Sequence, residues 1–269
     1  MKILVIHGSM RKGNTYTLTK EIVSRLAAKA EVEISEYFVS ELNLPFCCSC
    51  HNCFAKGEEY CPHFDVTGKI KDALLQCDAL VVSGATYMWA LNAAMKNLLD
   101  HFAYMFHRPV LFGKKGMVVA TSTGVGEKSV AKYLKTVLGQ WGINGAIIVT
   151  QNAKEHRLQS EGPELSSKEA AQIDKVAQRF YDMIKANKQL TPSLKNISVH
   201  NAFRAMSLSA YSESERDTQH WQKEGMGDRA YPVKAGPIKY AIGAFVYGAA
   251  KNTTKMIGRV YMKRQGEQK

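Results

Sequence analysis

Apolar, β-rich runs alternate with helix-patterned stretches from the N-terminus to about residue 186, and this alternation constrains the fold more than any other feature of the chain. Lys2–Ile6 reads as a buried strand. Thr15–Ala30 follows as a helix, with Leu18, Ile22, Leu26 and Ala30 on one stripe. Val32–Val39 alternates loosely, as a second strand does, and Ser40–His63 is a long loop. The pattern continues with a helix over Val66–Gln76, a strand over Ala79–Ser83 and a helix over Leu91–Phe106. It ends with a strand over Gly116–Thr121, a helix over Val125–Trp141, a strand over Ala146–Thr150 and a long amphipathic helix over Ser166–Asn187. Ser166 or Ser167 is the expected N-cap of that helix, with Glu169 in its first turn. Parallel neighbours need crossover connections, and helices on both faces supply them. The expectation is an α/β three-layer sandwich over residues 1–187, with a five-stranded parallel sheet in the order 2-1-3-4-5. Its ligand crevice lies at the carboxyl ends of strands one, three and four.

The loop that leaves the first strand narrows the choice of ligand. His7-Gly8-Ser9-Met10-Arg11-Lys12-Gly13-Asn14-Thr15 joins a strand to a helix N-terminus. There, backbone N–H groups and the helix dipole favour an anion, and Ser9, Asn14 and Thr15 add side-chain donors. An ordinary strand-to-helix turn uses the same residue types. A nucleoside-triphosphate loop needs Lys directly after its second glycine, where this chain has Asn14. A dinucleotide fingerprint needs a glycine two positions after Gly8, where this chain has Met10. A single phosphate monoester is the reading that remains.

Five of the six cysteines fall between Cys47 and Cys61, and only Cys77 lies elsewhere. A disulfide framework spreads cysteines along a small secreted chain; tight clustering points to metal or cluster ligation. The two-residue spacings of Cys47, Cys50 and Cys53, followed by Cys61, let thiolates point into one small volume. Three occupancies stay open: a [4Fe–4S] cluster, no metal at all, or zinc with His51 or His63 as a substitute ligand.

The first loop, Gly8-Ser9-x-Arg11-Lys12-x-Asn14-Thr15, resembles the GSxRKxGNT loop of NAD(P)H-dependent FMN reductases and their iron–sulfur flavoprotein relatives, one residue shorter here. The likeness runs to roughly residue 150. It takes in the cysteine loop followed by Asp65, a Tyr after the third strand, and Lys96 with Asp100 on the next helix. The resemblance implies a flavodoxin-like fold and FMN, with NAD(P)H as co-substrate. It places Ser9, Arg11, Asn14 and Thr15 at the FMN phosphate. Where the family reads Ser-Pro-x-Tyr-Trp, this chain has Gly84-Ala85-Thr86-Tyr87-Met88-Trp89. Ala85, Thr86, Tyr87, Met88 and Trp89 are thereby expected against the isoalloxazine; core or interface packing of the two aromatics is the bland alternative. Thr121, Ser122, Thr123 and Gly124 form another donor-rich turn, suited to the pyrimidine end of the ring, where negative charge develops on reduction. The cysteines resemble the compact CxxCxxC…C motif of the iron–sulfur flavoproteins. Cys48 is then a bystander, and Ser49 stands where the family often has glycine. Lys96 and Asp100 are expected to pair.

No Ser/His/Asp set and no carboxylate pair stands out, and a flavin enzyme needs none, because the cofactor carries the chemistry. The function expected is NAD(P)H oxidation with electrons passed to a small acceptor: a quinone, a nitro or azo compound, or free flavin. With a cluster, the acceptor takes electrons singly. Pockets of this kind are usually completed by a second subunit, so a homodimer or homotetramer is expected. The rival classes are a flavodoxin-like electron carrier and a cysteine-based redox or metal-binding module.

Residues 188–269 form a different kind of segment, a basic and mostly helical C-terminal extension. From Lys188 to Lys269 there are 14 Lys and Arg against 6 Asp and Glu, a surplus of eight in a chain whose net charge is +12. Its last stretch, Ile238–Tyr261, reads as a basic amphipathic helix weakened by Gly243, Gly248 and Gly258. It suits weak contact with an acidic membrane surface; no nucleic-acid-binding module is recognisable. The start of the chain is not a signal peptide, and no run of about 18 apolar residues predicts a membrane span, so a cytoplasmic location is expected.

Overall fold

The computed structural model describes residues 1–29, 31–153, 166–209, 212, 214–223 and 231–266, over 260–266 by backbone alone. Ala30, expected on the first helical stripe, lies outside the described residues. The elements in chain order are β1 (Lys2–His7), α1 (Asn14–Ala27), β2 (Glu33–Phe38), α2 (Asn52–Ala55), α3 (Phe64–Gln76), β3 (Ala79–Tyr87), β4 (Ala90–Leu91) and α4 (Ala93–His101). They continue with α5 (Tyr104–His107), β5 (Lys115–Ser122), α6 (Glu127–Gln140), β6 (Ile147–Asn152), α7 (Ser167–Lys185), α8 (Leu194–Ser207), α9 (Glu215–Gln222) and α10 (Pro237–Gly266).

Five strands pair in parallel in the order β2-β1-β3-β5-β6, and the short β4 lies antiparallel to β3. This is the flavodoxin-like sheet expected, with β5 and β6 as its fourth and fifth parallel strands. Side chains alternate between the faces. Leu4, Ile6, Leu80, Val82 and Val118 pack with α3, α4 and α6, whereas Ile3, Val5, Val81, Met117 and Val119 pack with α1 and α7. Both faces are therefore dry, which is why β1, β3 and β5 are continuous apolar runs. β2, at the edge, stays half exposed.

The loop expected over Ser40–His63 contains the short helix α2, the last helix runs past Tyr261 to Gly266, and two further boundaries differ from expectation. The third strand does not end at Ser83; it runs on to Tyr87 and turns back as β4 through Met88 and Trp89, both at positive φ (45° and 63°). That is the hand of a tight two-residue hairpin, made without glycine. The helix expected over Leu91–Phe106 is two pieces, because Leu91 belongs to the hairpin and the chain turns at Phe102. Ser166 does cap α7, in a reciprocal box with Glu169.

In the C-terminal extension, α8 packs against α5 and α6, and α9 against α2. A small core of Ile197, Tyr231, Val233 and Ala235 closes over Phe112. Gly139 lets α8 come close: a Cβ there would sit 2.7 Å from the Asn196 side chain. Val260 and Tyr261, assigned to the last helix from sequence, lie on α10, but their side chains fall outside the described residues.

Candidate functional site: two adjoining sites at the carboxyl end of the sheet

The β1–α1 loop begins where Gly8 touches β3. Its N–H donates to Ser83 O at 3.0 Å, and a Cβ on it would lie 2.3 Å from that same oxygen. Only glycine fits there. Asn92, buried at the start of α4, donates Nδ2 to Gly8 O at 2.6 Å and holds the loop from its other side. Gly13 then ends the loop and Asn14 opens α1. Ser9, Arg11 and Asn14 are half-buried around this turn. Thr15 is buried, and its hydroxyl meets that of Thr121 at 2.7 Å, joining the first loop to the end of β5.

The other two expected loops converge on the same edge. Thr86 and Ala85 are half-buried on the last residues of β3, and Ala85 pairs with Thr121 of β5. Tyr87, Met88 and Trp89 project from the hairpin tip, 57%, 94% and 68% exposed, so the two aromatics are not core residues. Gly126, at φ 104°, lets the turn after β5 pass beneath that tip; a Cβ there would lie 3.2 Å from Trp89 Cα. Thr123 and Gly124 are exposed at the turn. The Ser122 hydroxyl is engaged with Glu127, donating to its carboxylate at 2.6 Å, and this bond holds Glu127 below the usual carboxylate range.

Between the first loop and the hairpin lies a groove of about 640 Å³ lined by Met10, Val39, Phe46, Tyr87, Asn92 and Asn97, among others. Two buried polar atoms on these elements have no hydrogen-bond partner among the described residues, Thr86 Oγ1 and Asn92 Oδ1. Buried polar atoms are rarely left so. An apolar cleft with a few unsatisfied polar groups suits a flat heteroaromatic ring with polar edges, and the phosphate-sized loop beside it suits that ring's monoester tail.

The cysteine loop adjoins this groove. Cys47, Cys50, Cys53 and Cys61 line one cavity of about 310 Å³, together with His51, His63, Asp100 and His101. Cys48, expected as a bystander, lines it as well. Ser49 and His51 flank Cys50 at φ 53° and 60° and fold the chain back around it; Ser49 thus stands in a conformation that glycine adopts without strain. Burial pushes the Cys53 thiol up to about 12, with Cys61, Cys47 and Cys50 adding to the rise and Arg108 opposing it. Burial likewise raises Cys61. Burial disfavours the thiolate at these two positions, and a bound metal cation, by displacing the proton and offsetting the thiolate charge, would reverse that. Among the described residues no three His, Cys, Asp or Glu side chains converge closely enough for a single metal ion. Zinc requires sulfurs on the order of 4 Å apart.

Two side chains that sequence reasoning missed hold this loop. Asn97, on α4, accepts from Cys47 N–H at 3.0 Å and donates to Leu44 O and Pro45 O. Arg108, buried after α5, donates to Cys53 O and Glu58 at 2.9 Å and pairs with Asp217 of α9. His107 bonds the same carboxylate at 2.7 Å, and Lys71 holds Glu58 at 2.9 Å. The one sequence signal for Asn97 was a polar residue among the apolar positions of a helix; Arg108 had none, because its partners lie 50 and 109 residues away. Lys96 and Asp100 pair on α4, as expected.

The sequence model of NADPH-dependent FMN reductases matches residues 1–155, more than half of the chain. The chain belongs to the NADPH-dependent FMN reductase family. It is 26% identical over 228 residues to an iron–sulfur flavoprotein of Archaeoglobus fulgidus, covering 84% of this chain and 99% of that one. An iron–sulfur flavoprotein of Clostridioides difficile is 22% identical over 236 residues, covering 84% of this chain and all of that one. Among solved structures, an apo NADH:FMN oxidoreductase overlays with a TM-score of 0.49 at 18% identity, covering 66% of this chain and 87% of that one. The FMN reductase match covers the β1–α1 loop, the cysteine loop, the hairpin and the turn after β5; the extension lies beyond it.

Proposed function

We propose that this chain oxidises NAD(P)H through FMN seated in the groove and passes the electrons to a small acceptor such as a quinone, a nitro or azo compound, or free flavin. A [4Fe–4S] cluster on Cys47, Cys50, Cys53 and Cys61 gives it a one-electron outlet. The observation that carries this reading is adjacency. Phe46 lines the groove and Cys47 the cysteine cavity; one turn of α4 separates Asn97 in the first from Asp100 and His101 in the second.

In this reading the N–H groups from Ser9 to Asn14 and the α1 dipole hold the phosphate. Thr15 and Thr121, bonded to each other, fix the spacing of the two loops that flank it. Thr86 Oγ1 and Asn92 Oδ1 take up the polar edge of the ring, and Tyr87 lies against its face. The backbone of Thr123 and Gly124 faces the pyrimidine end. Bound FMN supplies two-electron exchange with the nicotinamide and one- or two-electron delivery to the acceptor. The exposed hairpin tip offers its aromatics to a second subunit, which completes the acceptor pocket in a homodimer or homotetramer.

The test is anaerobic purification followed by a visible spectrum and assays of flavin, iron and sulfide. Flavin near one per chain is expected, with iron and sulfide each about four, and NAD(P)H oxidation that depends on added quinone. A colourless protein that fails to take up added FMN overturns the reading. Flavin without iron or sulfide removes the cluster alone.

A further inference from the structure

We propose that the outward face of α10 is a docking surface for an anionic lipid bilayer. α10 runs for 30 residues, about 45 Å. Between Pro237 and Gly266 it carries six Lys and Arg and no Asp or Glu. Its inner side packs on α8: Lys239 Nζ donates to Pro192 O at 2.8 Å, and the Arg204 guanidinium lies 4.6 Å from the centre of the Tyr247 ring. Gly243 and Gly258 are buried, so two of the glycines that weaken an isolated helix here sit on covered positions.

Among the described residues nothing covers the outer side. Ile238 and Phe245 are each 76% exposed and Met256 is 64% exposed. Seven and eleven residues separate them, two and three helical turns, so they form one stripe with exposed Ala241 and Ala249. Lys251, Lys255 and Arg259, all exposed and four residues apart, run beside the stripe along the second half of the helix. Apolar side chains that enter the acyl boundary, flanked by cations that reach phosphate headgroups, are what an interfacial helix requires. No helix among the described residues is long and apolar enough to cross a membrane, so α10 would lie on the surface.

Charge selects this occupant. A second copy of the same helix would set Lys251, Lys255 and Arg259 against the same cations, with no acidic side chain on either helix to offset them. A nucleic-acid backbone would satisfy the cations and leave Ile238, Phe245 and Met256 without a function. An anionic bilayer engages both.

The test is co-sedimentation of the full-length holoprotein with vesicles of about 30% phosphatidylserine in phosphatidylcholine, against vesicles of phosphatidylcholine alone. Binding at least about tenfold stronger to the acidic vesicles is expected, falling to the neutral level in about 0.5 M NaCl. The triple variant Lys251→Glu, Lys255→Glu, Arg259→Glu should lose that preference. Phe245→Ser with Met256→Ser should lower binding about tenfold at unchanged NAD(P)H oxidation. All five positions are exposed, so these variants keep the fold. Equal binding to both vesicle types overturns the proposal, as does vesicle binding that the triple variant retains. Sedimentation velocity adds a further check: an oligomer that falls apart in Phe245→Ser would assign the stripe to a second copy and also overturn it.

Discussion

Around the β1–α1 loop the anchors are buried and local to the sheet: Gly8 on Ser83, Asn92 on Gly8, Thr15 on Thr121. Around the cysteines Cys47, Cys48 and Cys50 are exposed, Ser49 and His51 take left-handed backbone angles, and the anchors Asn97 and Arg108 come from outside the loop. The first site is expected to keep its shape without ligand, because sheet hydrogen bonds and core packing define it. The second is a set of thiols on a loop held from outside, which gain a reason to converge when a bound metal displaces their protons. A chain of this kind is expected to bind flavin readily and to acquire its metal conditionally.

The sharpest way to break that contrast is at Arg108. Replacing it with Ala leaves the fully buried Asp217 with His107 in place of its guanidinium partner, and removes the bonds to Cys53 O and Glu58. A loss of about 3–5 kcal/mol is expected in denaturant unfolding. A milder variant, Arg108→Lys, should keep FMN affinity while iron content falls, because a lysine cannot span three partners. Equal loss of both would mean that the two sites are not separable.

Asn97→Ala comes next. It leaves Cys47 N–H, Leu44 O and Pro45 O without their partner, and a cost of about 1–3 kcal/mol is expected. Iron retention during gel filtration should fall with little change in an FMN titration. A variant that held its iron as the parent does would show that the loop shapes itself.

The extension's core differs again from the sheet, and pH exposes the difference. His200 is buried against Phe112, Trp221 and Tyr231 with neither ring nitrogen bonded among the described residues, and burial lowers it to about 3; burial lowers His220 to about 4. Both fold as neutral rings. The unfolded chain binds their protons below about pH 6.5, so stability present above that pH is lost as pH falls toward 4 and then 3. Each ring contributes a slope of up to about 1.4 kcal/mol per pH unit once its unfolded form is protonated. Thermal melts of His200→Phe should show a shallower acid slope than the parent. Identical slopes would place the acid sensitivity elsewhere.

The smallest effect is at the hairpin tip. Met88→Asn with Trp89→Gly puts residues that favour positive φ where two others now bear it, and a gain of about 1 kcal/mol is expected. The same change should weaken acceptor turnover, because it removes the exposed indole. Unchanged kinetics would take Trp89 out of the acceptor pocket.

How far the sequence disclosed this molecule follows the range of the forces involved. Strand cores, the glycine turn after β1 and the Ser166 capping box depend on neighbours within a few residues, and their patterns were readable. The hairpin was hidden because Gly84-Ala85 looks like the end of a strand, while in the structure the pairing of Thr86 with Leu91 extends it. The cysteine spacing announced a shared cavity, but Asn97 and Arg108 reach it across 50 residues or more, and no local pattern marks them. The glycines of α10 counted against a helix as long as its packing on α8 was invisible.

Hydrogen–deuterium exchange on protein stripped of flavin and iron tests the contrast between the two sites most directly. The account predicts slow exchange over Gly8–Leu18 and fast exchange over Cys47–Cys61, with anaerobic iron and sulfide slowing the second segment and leaving the first unchanged. Cysteine-loop amides already protected in the stripped protein, and indifferent to iron and sulfide, would contradict it.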